Sequence, residues 1–159
     1  MEKNDLAWNL YLSEREFIKH HENQRTTASN IAAAIAAGLI VALGTGELSN
    51  EIQVLISFVL SAIGFFGYVF CSKLYALIML HAGRSYQYLN LLDKSFPDID
   101  VEKIKSKAKK QNEQKFKRIA KIGLNKIWKM FHMFICLTGL MLFLFYTTKL
   151  IIQSINSIN

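Results

Sequence analysis

The sequence predicts an all-α membrane protein with about three transmembrane helices and additional cytoplasmic helices. Of its 159 residues, 52% are hydrophobic, and the mean hydropathy of +0.20 is high for a soluble protein. The apolar residues are concentrated in three uncharged blocks of about 20 residues, the length that a helix needs to cross the hydrocarbon core of a bilayer. The chain has one proline and no sustained alternation of apolar and polar residues, so strands are not expected.

The first two blocks, 28–46 and 52–72, predict a transmembrane hairpin over residues 28–72. The first block follows a long polar segment, which favours a retained span over a cleaved signal peptide. The connector between the blocks is short, so the two helices are expected to be antiparallel neighbours. Apolar residues continue beyond Lys73, and the second helix is therefore expected to extend out of the bilayer as a stalk. The Leu and Tyr side chains of this stalk would need cover from other segments or chains.

The third block, 130–148, predicts a third transmembrane helix within the C-terminal segment 130–159. The basic residues predict the orientation of all three spans. Residues 1–27 contain four Lys or Arg and residues 73–129 contain fourteen, so these segments hold 18 of the 19 in the chain. The positive-inside rule places both segments in the cytoplasm.

The N-terminal segment 1–27 predicts an amphipathic helix that lies against the membrane or the stalk. Ser13 and Glu16 have the spacing of a capping box, so a helix can begin at Ser13. Arg15, His20 and His21 are weak catalytic candidates, because an Arg and a His four to six residues apart mark a family of RNA-cutting helical domains. On one helix, however, Arg15 points about 140° away from His20 and about 120° away from His21. No enzymatic activity is therefore expected, and a membrane-tethered ribonuclease remains an alternative.

The basic cytoplasmic segment 73–129 is a candidate surface for an anionic partner. Asp100 is expected to cap a helix that begins at Val101. Residues 101–129 contain eleven Lys or Arg and two Glu, a net charge of +9. Such a surface suits RNA or acidic lipid headgroups, although a solvated face that fixes the membrane topology is the simpler interpretation. The candidate residues are Lys103, Lys107, Lys110, Lys117, Arg118 and Lys121.

The first span carries small residues four positions apart, which allow helix backbones to approach closely within or between subunits. These residues are Ala32, Ala33, Ala34, Ala36, Ala37 and Gly38. None of the three spans contains Asp, Glu, Lys or Arg, which argues against an ion-coupled transporter or a proton relay. Cys71 and Cys136 have no disulfide or metal-ligand spacing, so neither a metal nor a cofactor is expected.

The second span carries a polar stripe that occupies an arc of roughly 100° on the helix. Several copies of the stripe around an axis could line a pore, or the same side chains could form hydrogen bonds between packed helices. A chain with three spans does not easily enclose a pore alone, so the pore interpretation requires a homo-oligomeric ring. The predicted pore-lining residues are Gln53, Ser57, Ser61, Gly64 and Tyr68.

The chain resembles the RipA-type family of small octameric membrane-pore proteins of bacteria, which includes the membrane accessory protein of type VI-B CRISPR systems. The resemblance rests on the size, the membrane hairpin, the basic middle segment and the stretch "REFIKH", and it spans roughly residues 10–150. It implies an eight-subunit pore in the bacterial inner membrane, with anti-phage defence beside an RNA-guided RNase, or membrane-stress adaptation, as its setting. Only Arg15, His20 and His21 match the motif of the family. A non-conducting scaffold that recruits a partner through Lys103–Lys129 is the further alternative.

Overall fold

The computed structural model describes residues 3–95, 100–116 and 122–157. Within these ranges the chain forms four α-helices and no strand: α1 (Lys3–Gly44), α2 (Asn50–Asp93), α3 (Val101–Lys115) and α4 (Leu124–Asn156). By length and composition, α1, α2 and α4 could each cross a membrane. The all-α class and the three helices of spanning length are thus confirmed.

The helix start that the capping box allows at Ser13 is not used, because α1 begins at Lys3. Ser13 lies inside a continuous helix of 42 residues, where it caps nothing. Tertiary packing supports the additional turns: Ala7 is buried, and the Asn4 side chain accepts a hydrogen bond of 2.9 Å from the Ser95 hydroxyl. Most helix stability in proteins comes from such packing, so a local capping pattern does not decide where this helix starts.

The helices pack as two compact units. The first, here called the basic unit, combines Met1–Gln24 with Lys73–Ile127, and the second, the span unit, combines Arg25–Ser72 with Trp128–Asn159. Both α1 and α2 contribute one part to each unit. The predicted extension of the second span is therefore continuous with it, as the 44 residues of α2 form one helix.

The span unit is an up–down–up bundle of α1, α2 and α4. Ala36, Leu60 and Ile135, one from each helix, form its core. Buried residues in all three helices recur at intervals of three, four or seven, the spacing of helices that pack at small crossing angles as in coiled coils. These residues are Arg25, Ser29, Ala36 and Leu43 in α1, Gln53, Ser57, Leu60, Gly64 and Cys71 in α2, and His132, Ile135 and Gly139 in α4.

In the basic unit, α3 is attached to α2 by polar contacts. The Tyr86 hydroxyl donates a hydrogen bond of 2.8 Å to Glu102, and Lys105 Nζ lies 4.4 Å from the centre of the Tyr86 ring. The bond to Glu102 raises the pKa of the Tyr86 phenol, because the carboxylate favours the protonated hydroxyl. The Asp100 carboxylate accepts a hydrogen bond of 2.7 Å from the Lys103 amide, so the predicted cap of α3 is confirmed.

Candidate functional site

The polar stripe of α2 faces the interior of the span unit. Gln53, Ser57 and Gly64 are buried, while Ser61 and Tyr68 are partly buried. The Ser57 hydroxyl donates to the Gln53 carbonyl at 2.7 Å, which satisfies it within its own helix. The Ser61 hydroxyl lies 3.6 Å from Cys136 Sγ of α4. Within the protomer the stripe therefore fits the helix-packing alternative, and the pore lining by these residues stays a prediction.

Two glycines on opposite helices explain how closely α2 and α4 pack. A Cβ atom on Gly64 would overlap the backbone of Cys136, and a Cβ atom on Gly139 would overlap the backbone of Ser61. One turn further along α2, a Cβ atom on Gly67 would overlap the His132 ring. The missing side chains let the two backbones touch, which is the form of association that dominates where lipid provides no hydrophobic driving force.

A buried polar cluster that the sequence did not predict joins all three helices of the span unit. The Ser29 hydroxyl of α1 lies 3.0 Å from His132 Nε2 of α4 and 3.6 Å from Cys71 Sγ of α2. His132 is 1% exposed, and its Nδ1 atom has no hydrogen-bond partner among the described residues. Ser29 is therefore the polar contact that holds the imidazole in place.

Replacing Ser29 by alanine is expected to destabilise the span unit, since both nitrogens of the buried His132 ring would then lack a partner. Leaving a buried polar group unsatisfied costs about 1–3 kcal/mol. Thermal unfolding of the detergent-solubilised protein, followed by circular dichroism, measures the loss. Ser72→Ala is the matched control, because the Ser72 hydroxyl donates to the Tyr68 carbonyl of its own helix at 2.8 Å. Equal unfolding midpoints for the two variants would contradict this role of Ser29.

The outer surface of α1 in the span unit combines an arc of small and polar side chains with the exposed large residues Ile31, Ile35, Ile40 and Val41. Of the predicted small residues, Ala36 lies in the core, Ala32 and Ala33 are partly buried, and Ala34, Ala37 and Gly38 are exposed. A Cβ atom on Gly38 would meet no atom within 4 Å. These three residues share an outward arc with Thr27 and Asn30, which are also exposed, and the exposed Val41 continues the same arc toward the end of α1. The five residues Thr27, Asn30, Ala34, Ala37 and Gly38 are called the small-residue face below.

The outer surfaces of α2 and α4 are different, because they consist of large apolar side chains. Phe66 of α2 is 69% exposed and Met141 of α4 is 71% exposed. Their exposed neighbours are equally large: Leu55, Phe58, Phe65 and Val69 in α2, and Phe134, Leu137, Leu144 and Phe145 in α4. Acyl chains of a bilayer would solvate these two surfaces well.

The weak catalytic candidates do not converge in the basic unit. Arg15 and His20 are exposed, and no contact joins Arg15 to either histidine among the described residues. His21 Nδ1 lies 3.0 Å from Gln24 Oε1 of the same helix. The inward-facing acid of this stretch is Glu14, whose carboxylate lies 2.5 Å from His81 Nδ1 and 4.0 Å from Arg84 of α2. The stretch thus contributes a polar contact between helices, and the expected absence of enzymatic activity stays a prediction.

The lysines predicted to bind an anionic partner are exposed where the structure describes them. Lys103, Lys107 and Lys110 lie on α3, which has no buried residue, whereas Lys117, Arg118 and Lys121 lie outside the described residues. No group of three or more His, Cys, Asp or Glu side chains in the described ranges has the geometry to hold a metal ion. Comparison of the chain with protein-family models, with curated proteins and with solved structures yields no match.

Proposed function

We propose that the protein is a homo-oligomeric pore-forming protein of the bacterial inner membrane, in which the small-residue face of α1 surrounds the central axis. The observation that carries the proposal is the unequal outer surface of the span unit. The exposed side chains of α2 and α4 in the span unit are large and apolar, whereas α1 presents Thr27, Asn30, Ala34 and Gly38 beside Ile31, Ile35, Ile40 and Val41. A ring that turns α1 inward leaves the large apolar surfaces in contact with lipid.

The small-residue face suits an axis better than it suits lipid. Asn30 can form hydrogen bonds in water, but its amide would lose them among acyl chains. The small side chains of Ala34 and Gly38 leave room at a crowded axis and add little apolar surface for lipid to cover. The conduit is thereby assigned to α1 and not to the buried stripe of α2.

Exposed apolar side chains of the basic unit also support self-association. They lie on parts of α1 and α2 that continue beyond the spans, where acyl chains would not cover them. Large apolar side chains exposed to water favour an interaction site, and other copies of the same chain are the simplest cover. The exposed residues are Leu6, Trp8, Leu10, Phe17, Met79, Leu80 and Leu91.

Reconstitution into liposomes tests the proposal. We expect the purified protein to release a small entrapped ion or dye, and the detergent-corrected mass of the particle to equal several protomers. Octamers would agree with the family that the sequence resembles. A particle of one or two protomers, or an oligomer that leaves the vesicles sealed, would contradict pore formation.

A membrane scaffold that recruits an anionic partner is the second candidate, and α3 is the observation that favours it. This helix has no buried residue and carries six lysines and two glutamates over Val101–Lys115. Its exposed lysines form a surface that is available to RNA, to acidic lipid or to an acidic protein. An oligomer without conductance would favour this function. The role in anti-phage defence beside an RNA-guided RNase, or in membrane-stress adaptation, stays a prediction.

A further inference from the structure

A layer of hydrogen-bond donors lies at one end of the span unit. Because α1 runs antiparallel to α2 and α2 runs antiparallel to α4, α1 and α4 are parallel. The contact between Ser29 and His132 places these two residues at the same level. Arg25, one turn before Ser29, is therefore level with Trp128, one turn before His132.

The side chain of Arg25 is buried with one donor, Nε, unpaired. Arg25 is 4% exposed, and its Nε atom has no hydrogen-bond partner among the described residues. In the described part of the span unit the only carboxylates are Glu47 and Glu51, which lie at the opposite end of the bundle. A buried donor without an acceptor is costly, so an anionic acceptor from outside the chain would stabilise Arg25.

Two further donors share this layer. Trp128 Nε1 is buried and also lacks a partner among the described residues. Lys129 Nζ lies 5.7 Å from the centre of the Tyr68 ring, which places a second cation on the adjoining part of α4. A guanidinium, an indole N–H and an ammonium all donate and none accepts, and a phosphate oxygen accepts from each of them.

We propose that Arg25, Trp128 and Lys129 bind a phosphate group, supplied by the phosphodiester of an anionic lipid. This layer lies at the end of the span unit that the basic residues predict to face the cytoplasmic headgroups. Basic sites between transmembrane helices suit anionic headgroups. The inference rests on the membrane location in the proposed function and does not require a pore. Arg25 supplies planar donors, Trp128 adds a neutral donor, and Lys129 adds charge.

Calorimetric titration of phosphatidylglycerol into the full-length protein in dodecyl maltoside micelles tests the proposal, with diacylglycerol as the lipid that lacks the phosphate. We expect saturable binding of phosphatidylglycerol only. Arg25→Gln should weaken it at least about tenfold, because a charge-assisted contact is lost. Trp128→Phe should weaken it about fivefold and keep the fold, because only one hydrogen bond is removed. Arg15→Gln, a charge-matched change at an exposed position of the same helix, should leave the affinity unchanged.

A second arm of the titration identifies the source of the phosphate. If millimolar inorganic phosphate binds alone and displaces the lipid, the site takes free phosphate. If inorganic phosphate neither binds nor displaces the lipid, the lipid is the ligand. Both results support a phosphate site. Equal affinities for wild type, Arg25→Gln and Trp128→Phe would overturn it, as would an equal loss in Arg15→Gln. If the protein binds phosphatidylglycerol but leaves liposomes sealed, the proposed pore is contradicted and the proposed phosphate site is retained.

Discussion

Gly64→Ala and Gly139→Ala are each expected to destabilise the protein, although glycine-to-alanine changes inside a helix normally stabilise it. Alanine gains about 1 kcal/mol over glycine in a helix interior. At these two positions the added methyl group would meet the backbone of the facing helix. Overpacking a tight contact typically costs about 1–3 kcal/mol, and a rigid backbone leaves little room for relaxation. Thermal unfolding in detergent, followed by circular dichroism, should show lower midpoints for both variants.

Gly38→Ala is the matched control for these substitutions. It makes the same chemical change within a span, but its Cβ atom would meet nothing within 4 Å. We expect its unfolding midpoint to equal or exceed that of wild type. If Gly64→Ala and Gly139→Ala behave like Gly38→Ala, α2 and α4 do not pack as described.

Ala34→Leu combined with Gly38→Leu is expected to close the conduit. Both positions are exposed on the small-residue face, so the larger side chains leave the protomer fold intact. A ring of leucines narrows the conduit along the axis and excludes water from it. Ion release from liposomes should therefore fall at least about tenfold. The particle mass in detergent should stay at the wild-type value.

Phe66→Leu combined with Met141→Leu provides the control on the large apolar surfaces of α2 and α4. Both positions are highly exposed and would face lipid, so wild-type release is expected. Two results would count against the assignment of α1 to the axis. One is unchanged release from the α1 variant, and the other is its breakdown into single protomers, which would make this face a contact between subunits.

The three helices of spanning length follow from the sequence, because uncharged apolar blocks of this length leave few structural options. The cap at Asp100 was equally predictable, since its carboxylate needs only the Lys103 amide of the same turn. The start of α1 was not predictable, because it depends on contacts such as that between Asn4 and Ser95, far apart in the sequence. Local sequence patterns predict a helix end well only where no contact with a residue distant in the sequence determines it.

The direction of the polar stripe could not be derived from α2 alone. A small polar arc looks the same whether it faces water or another helix, and only the position of α4 distinguishes these cases. One signal in the sequence was available: Gly64 lies in the same arc as Ser57 and Ser61, and a glycine among serines favours close helix contact. Ser29 and His132 were missed because they lie 103 residues apart, and nothing local predicts their contact.

Thiol accessibility of the small-residue face tests the proposed pore most directly. Cysteine would replace Ala34 or, as the control, Phe66, in a protein whose Cys71 and Cys136 are changed to alanine, and a charged, membrane-impermeant thiol reagent would be added to sealed vesicles. We expect the cysteine at position 34 to react and ion release then to fall, while the cysteine at position 66 stays unlabelled. An unreactive position 34, or a labelled one with unchanged release, would contradict a water-filled axis lined by α1.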